Sequence, residues 1–215
     1  MQRLRISAIL FLCWIATIAD AQQAVAITHY VFPSFGKGVV LLKDGSRNEA
    51  MLNYNALSKE MVFETAPGRY LALASPEKAD TVFIQDRKFV PVNNEFYELL
   101  TSYAYPLFVQ YTCTVREPGA NIGYGMSSSN LPSPAVKSLI KRGGAYSLKL
   151  PDGFEPAMTE AYWLFKDGKF QKANNAKQLA AAVPEKKEQV SALIKKNNTS
   201  FTKRKDITEL VQQLQ

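Results

Sequence analysis

Residues 103–116 read Tyr-Ala-Tyr-Pro-Leu-Phe-Val-Gln-Tyr-Thr-Cys-Thr-Val-Arg. Tyr103, Tyr105, Leu107, Val109, Tyr111, Cys113 and Val115 fall on one side of an extended chain, because successive side chains of a strand point to opposite faces. Gln110, Thr112, Thr114 and Arg116 fall on the other side. This period of two predicts a half-buried antiparallel strand with Cys113 turned to the core. Phe108 breaks the pattern as an aromatic on the polar face, which makes it a candidate binding residue.

Towards the N-terminus the chain reads as more short strands with turns between them. Val39 to Lys43 runs into Asp44-Gly45, a hairpin signal, and a second strand follows through Ala50, Leu52 and Tyr54. Glu60 to Thr65 meets Ala66-Pro67-Gly68, and Tyr70 to Leu73 continues. Thr81 to Ile84 and Lys88 to Val92 flank a turn at Asp86-Arg87. Asn93-Asn94 then precedes Phe96 to Leu100. Residues 22–116 are therefore expected to form a β-rich body, an antiparallel meander or barrel-like sheet.

Towards the C-terminus, residues 117–135 are rich in Gly, Ser, Asn and Pro and read as a loop or joint. Val136 to Arg142 is expected to be a short helix. Ala145 to Leu150, Ala161 to Lys166 and Phe170 to Lys172 read as strands, the last two forming a small hairpin at Asp167-Gly168. Three helices are expected to close the chain. Asn175 caps the first, Pro184 sits in the first turn of the second, and the third carries Ile207, Leu210, Val211 and Leu214 on one face. The fold class is thus α+β, with a basic unit over 136–215.

The chain has 215 residues, 47% hydrophobic and 21% charged, which excludes a disordered or fibrous protein and allows one sizeable core. Its ends differ in character. Arg3 and Arg5, an apolar run from Ile6 to Ile18, and Ala19-Asp20-Ala21 make residues 1–21 read as a secretory signal peptide, cut before Gln22. That run is too short for a transmembrane span, and no later segment approaches the required length. Cleavage would leave Cys113 as the one cysteine, so no internal disulfide is expected.

Most site chemistry has no residues to build it. One histidine, His29, and one mature cysteine cannot close a zinc site, and no cofactor motif is present. No G-x-S-x-G elbow accompanies His29, so a structural role is expected for it and for Cys113. Asp152, Glu155 and Glu160 lie close in sequence and are the candidate carboxylates for sugar hydrolysis.

Two features suggest binding. One is aromatic density through Phe96, Tyr97, Tyr103, Tyr105, Phe108 and Tyr111. The other is charge. The formal net charge is +7, and residues 137–215 hold fifteen Lys and Arg against eight Asp and Glu. Lys186, Lys187, Lys195, Lys196, Lys203, Arg204 and Lys205 are the densest part of that excess and the candidate contact residues for an anionic partner. Nucleic acid is not expected behind a signal peptide. Another envelope protein or an anionic envelope surface is the expected partner.

Val39-Val40-Leu41-Leu42-Lys43-Asp44-Gly45, Leu52-Asn53-Tyr54-Asn55 and the stretch from Trp163 to Phe170, with Gln22-Gln23 after the cleavage site, resemble exported proteins of unknown function from Bacteroidetes-type bacteria. The resemblance implies a periplasmic or outer-membrane-associated location and carries no activity. The expected function is non-catalytic binding or adaptor work in the cell envelope. A carboxylate-dependent hydrolase acting on carbohydrate and a structural envelope component are the alternatives.

Overall fold

The computed structural model describes residues 27–116, 138, 140–142 and 145–214. The expected signal peptide and the 117–135 loop lie outside them. Among the described residues, twelve antiparallel strands form one sheet that curls into a half-barrel, with helices at the C-terminal end. The strands are β1 (Gly36–Leu42), β2 (Arg47–Asn55), β3 (Glu60–Ala66), β4 (Arg69–Ala72), β5 (Ala79–Ile84), β6 (Arg87–Val92), β7 (Glu95–Thr101), β8 (Leu107–Arg116), β9 (Lys141–Arg142), β10 (Ala145–Tyr146), β11 (Glu155–Lys166) and β12 (Lys169–Lys172). The helices are α1 (Ala176–Ala182), α2 (Lys187–Asn197) and α3 (Arg204–Gln212).

The order across the sheet is β12-β11-β8-β7-β6-β5-β1-β2-β3-β4-β10-β9. It is two meanders joined edge to edge. β1 to β4 run one way, and β5 returns through a short 3-10 turn at Pro76–Lys78 to pair with the free side of β1. β5 to β8 then run the other way. The C-terminal strands extend the same sheet, because β11 lies along β8 from Glu155 opposite Arg116 to Leu164 opposite Leu107.

Local chemistry places most turns where the sequence puts them. Gly45 has φ of 86°, and the Asp44 carboxylate accepts from the Ser46 amide at 2.9 Å, closing the β1–β2 hairpin. Asn93 and Asn94 both take left-handed φ at the β6–β7 turn. The Asn175 side chain accepts from the Gln178 amide at 2.9 Å and caps α1, while left-handed Asn198 ends α2.

β8 alternates as expected, with Leu107, Val109, Tyr111, Cys113 and Val115 buried. Its start does not. Tyr103 is 67% exposed and the strand begins only at Leu107. Pro106 has no amide hydrogen for a ladder, and its carbonyl instead accepts from Phe165 at 2.9 Å. Lys141–Arg142, expected to end a helix, is strand β9, and β11 starts at Glu155, earlier than expected.

One core runs through the molecule. Leu52, Tyr54, Phe89, Phe96, Leu107 and Leu164 of the sheet belong to the same buried cluster as Leu179, Val190, Ile207 and Leu210 of the helices. An N-terminal strap before β1 buries Ile27, Tyr30 and Phe32 against it. The fully buried Asn53 amide holds this strap, accepting from the Phe32 amide at 3.1 Å and donating to the Phe32 carbonyl at 2.9 Å. Leu52-Asn53-Tyr54-Asn55 is thus the seam between strap and sheet.

Candidate functional site

The basic residues divide once they are placed on helices. α2 buries Val190 and half-buries Leu193 and Ile194, which turns Lys187, Lys195 and Lys196 to solvent. Lys203 and Lys205 are exposed at the start of α3, and Lys186 is half-buried. Lys195 and Lys196 occupy the last turn of α2, where the helix dipole favours a positive charge.

Glu188, exposed in the first turn of α2, offsets part of this array, whereas the other nearby acids are held by partners. Glu185 is held by Lys166 at 2.5 Å and accepts from the Tyr105 hydroxyl at 2.9 Å. Its carboxylate is pushed down to about 2, chiefly by the Lys166 hydrogen bond. Asp206 accepts from the Ser200 amide, and Glu209 lies 3.7 Å from Lys205. Lys187, Lys195, Lys196 and Lys203 form an exposed cationic surface.

Arg204 does not belong to that surface. Half-buried, it turns into the half-barrel and lies 3.5 Å from Glu98, with Glu160 bonded to its guanidinium. Glu98, on the inner face of β7, also takes two bonds from Arg87, both 2.6 Å. Arg87 donates to the Tyr111 hydroxyl at 2.6 Å, and that hydroxyl also bonds Glu98. The Tyr162 hydroxyl donates to Glu160 at 2.7 Å. Two arginines, two carboxylates and two phenols therefore form one charge-balanced network. Burial opposes the charges of Glu160 and Arg204. Their mutual hydrogen bond nonetheless leaves Glu160 below and Arg204 above its ordinary pKa. Phe32 stacks beneath the Arg87 guanidinium, 4.4 Å from its ring centre.

This network was the part that sequence reasoning missed. Glu98 sits between Phe96 and Leu100 on an inward-facing alternation, and a carboxylate at such a position demands a buried cation. Arg204, by contrast, reads in sequence as one more member of a basic run.

The three candidate carboxylates are not brought together. Asp152 is paired with Lys149 at 2.8 Å, and Glu155 lies 3.9 Å from Arg116. Glu155 and Glu160 are both on β11 with an odd separation, so they point to opposite faces about 16 Å apart along the strand at the usual rise. Catalytic carboxyl pairs in glycoside hydrolases stand about 5–9.5 Å apart.

Phe108 is buried, 7% exposed, although its side of the sheet faces away from the helices. The reason is an aromatic cluster on that outer face. Phe108 packs edge-on against Phe165 and Phe170, and Tyr97 stacks on Trp163 at 6.0 Å. Gln110 accepts from the Trp163 indole at 3.1 Å, and Lys172 lies over that ring. Phe108 acts as packing beneath half-exposed Trp163, Phe165 and Phe170.

His29 and Cys113 are both buried, and their segments meet at Ala56, which accepts from the Cys113 amide at 3.1 Å and donates to the His29 carbonyl at 3.0 Å. Burial lowers the His29 imidazole to about 4 and raises the Cys113 thiol to about 11, so both are neutral at pH 7. Among the described residues no three His, Cys, Asp or Glu side chains gather as metal ligands would, and no helix is long and apolar enough to cross a membrane.

The architecture is thus a curled antiparallel half-barrel whose C-terminal helices present lysines outward and one arginine inward. No protein-family model, curated protein or solved structure matches the chain.

Proposed function

We propose that this chain is a non-catalytic binding or adaptor protein of the bacterial cell envelope that attaches to an anionic envelope surface through its C-terminal helices. Export behind residues 1–21, to the periplasm or the outer membrane, is part of the same reading. The observation that supports it best is the exposed lysine surface of α2 and the start of α3, whose neighbouring acid Glu185 is already taken by Lys166. Clustered like charges raise the local potential and attract anions, and salt weakens the attraction as the Debye length shrinks to about 8 Å at physiological strength.

Asp152, Glu155 and Glu160, the carboxylates from which the hydrolase alternative is read, are separated, so the binding reading is preferred here. Sedimentation with vesicles tests the binding reading. Wild-type protein is expected to co-sediment with phosphatidylglycerol-containing vesicles, to stay free of phosphatidylcholine vesicles, and to be released as salt rises. Changing Lys186, Lys187, Lys195 and Lys196 together to Glu should abolish binding and leave the circular-dichroism spectrum unchanged. Equal sedimentation of both proteins at all salt concentrations would show the lysines to be a solvated face. An acidic protein partner would appear as salt-sensitive pull-down from envelope extracts with no vesicle binding.

A further inference from the structure

The sheet forks between β2 and β3. β2 pairs with β1 from Arg47 opposite Leu41 to Leu52 opposite Gly36. With β3 it pairs only from Leu52 opposite Phe63 to Asn55 opposite Glu60. Beyond that point the two strands part, and β3 follows β4 with a register shift between Glu64 and Ala66. Arg47 to Met51 is left as an edge, with β1 on one side and no strand paired on the other.

Both strands turn backbone groups towards the fork. The Leu42 amide donates to the Ser46 carbonyl at 2.9 Å, so these two residues are a bonded pair of the β1–β2 ladder. Bonded and non-bonded pairs alternate in an antiparallel ladder. Asn48, Ala50 and Leu52 therefore bond to β1, and the N–H and C=O groups of Glu49 and Met51 point away from it. On β3 the Met61 carbonyl accepts from the Leu73 amide at 2.8 Å, which is the β4 side. By the same alternation the backbone groups of Glu64 face β2.

Between the edges lies a cleft of about 490 Å³, a size usual for binding sites. Val40, Leu52, Phe63 and Leu73 give it apolar walls, and its charged residues are Glu49 and Glu64, with no lysine or arginine among the described residues that line it. Exposed edges are commonly blunted by Lys, Pro or a bulge, and Glu49-Ala50-Met51 carries none of these. Met51 instead stands 37% exposed. A free strand edge selects an extended backbone, an apolar cleft beside it selects alternate side chains, and two carboxylates select a positive charge.

We propose that the fork between β2 and β3 is a peptide-docking site for one extended segment of another protein, with apolar residues at alternate positions and a Lys or Arg within reach of Glu49 and Glu64. The segment adds as a strand to the Glu49–Met51 edge, and its apolar side chains enter the cleft over Leu52 and Phe63. None of the lysines of α2 and α3 takes part, so this docking and the envelope attachment can fail separately.

Selection of a displayed library of random octapeptides on the full chain tests it. Retained peptides are expected to carry apolar residues at alternate positions and to favour Lys and Arg over Asp and Glu. A synthetic copy of the best of them should bind the wild type, and N-methylation of its amides along one edge should weaken it about fivefold or more. Met51→Pro removes an N–H that faces the fork and keeps the bonds to β1, so it should fold by circular dichroism and lose binding by a similar factor. Glu49→Lys, at an exposed position, should weaken binding without touching the backbone. The Glu49 and Met51 amides should exchange freely in the free chain and slowly in the complex. Failure to retain any peptide, or binding indifferent to N-methylation and to both variants, would overturn the proposal. So would protection of the Glu49 and Met51 amides in the free chain.

Discussion

Arg204 in the last helix and Glu98 in the middle of the sheet bring their charged groups to 3.5 Å, and Glu98 is at the same time bidentate to Arg87. One buried carboxylate thus ties α3 to β6 and β7. Its side chain is 6% exposed, whereas that of Arg204 is 36% exposed. The two ends of the contact should therefore respond differently to truncation.

Glu98→Ala leaves the Arg87 guanidinium buried without its main partner and should destabilise the fold by about 3 kcal/mol. Arg204→Ala should cost about 1 kcal/mol, since solvent screens a group that open and Glu98 keeps Arg87. Urea denaturation of both variants measures this. Equal effects, or a loss below about 0.5 kcal/mol for Glu98→Ala, would mean that the network contributes little to stability.

The contrast between Arg204 and its neighbours shows what the sequence could carry. The alternation from Leu107 to Val115 was readable because burial of one face imposes a period of two. The stripe Ile207, Leu210, Val211 and Leu214 was readable because a helix imposes 3.6, and all four are buried. Both signals are local. The position of β1 between β2 and β5 is set by pairing between distant segments, and no local period records it. Composition groups Arg204 with Lys203 and Lys205 because it is blind to partners; Glu98 and Glu160, distant in sequence, decide its role. Phe108 was placed on the correct face, but the aromatics that bury it come from β11 and β12.

His29 should make the protein acid-sensitive. In the unfolded chain it titrates near 6.5, and in the native state burial lowers it to about 4. Between those values the unfolded state binds the extra proton, so stability is full above about pH 6.5 and falls as pH drops towards 4. The full loss is about 3 kcal/mol for a shift of this size. Glu160, lowered below its ordinary value, adds a loss of the same sign at lower pH. Denaturation midpoints between pH 7 and 4 should fall for the wild type and stay flatter for His29→Gln. Parallel curves would mean that His29 charges without penalty.

Cys113 should be chemically silent in the native state. The residue is 5% exposed and burial raises its thiol to about 11, so little nucleophilic thiolate exists at pH 8. A disulfide-exchange reagent should modify it at the rate of unfolding and promptly in denaturant, with peptide mapping to identify the site. Rapid native labelling would place the thiol at the surface. Cys113→Ala should cost about 1 kcal/mol of packing.

Two glycines in and after β1 should fail for opposite reasons. A Cβ on Gly38 would stand 2.4 Å from the Phe83 carbonyl oxygen and 2.7 Å from Leu52 Cδ1. The carbonyl belongs to the paired strand β5, so relief requires β1 and β5 to part, at about 2–3 kcal/mol or more. Gly45 has open space around it but a φ of 86°, which strains an ordinary L-residue by about 1–2 kcal/mol. Asparagine separates the two cases, because it tolerates left-handed φ but not a clash. Gly45→Asn should therefore unfold close to the wild-type temperature, while Gly38→Asn should lose at least as much stability as Gly38→Ala. If Gly38→Ala proves harmless in thermal denaturation, the close approach of β1 to β5 at this position is wrong.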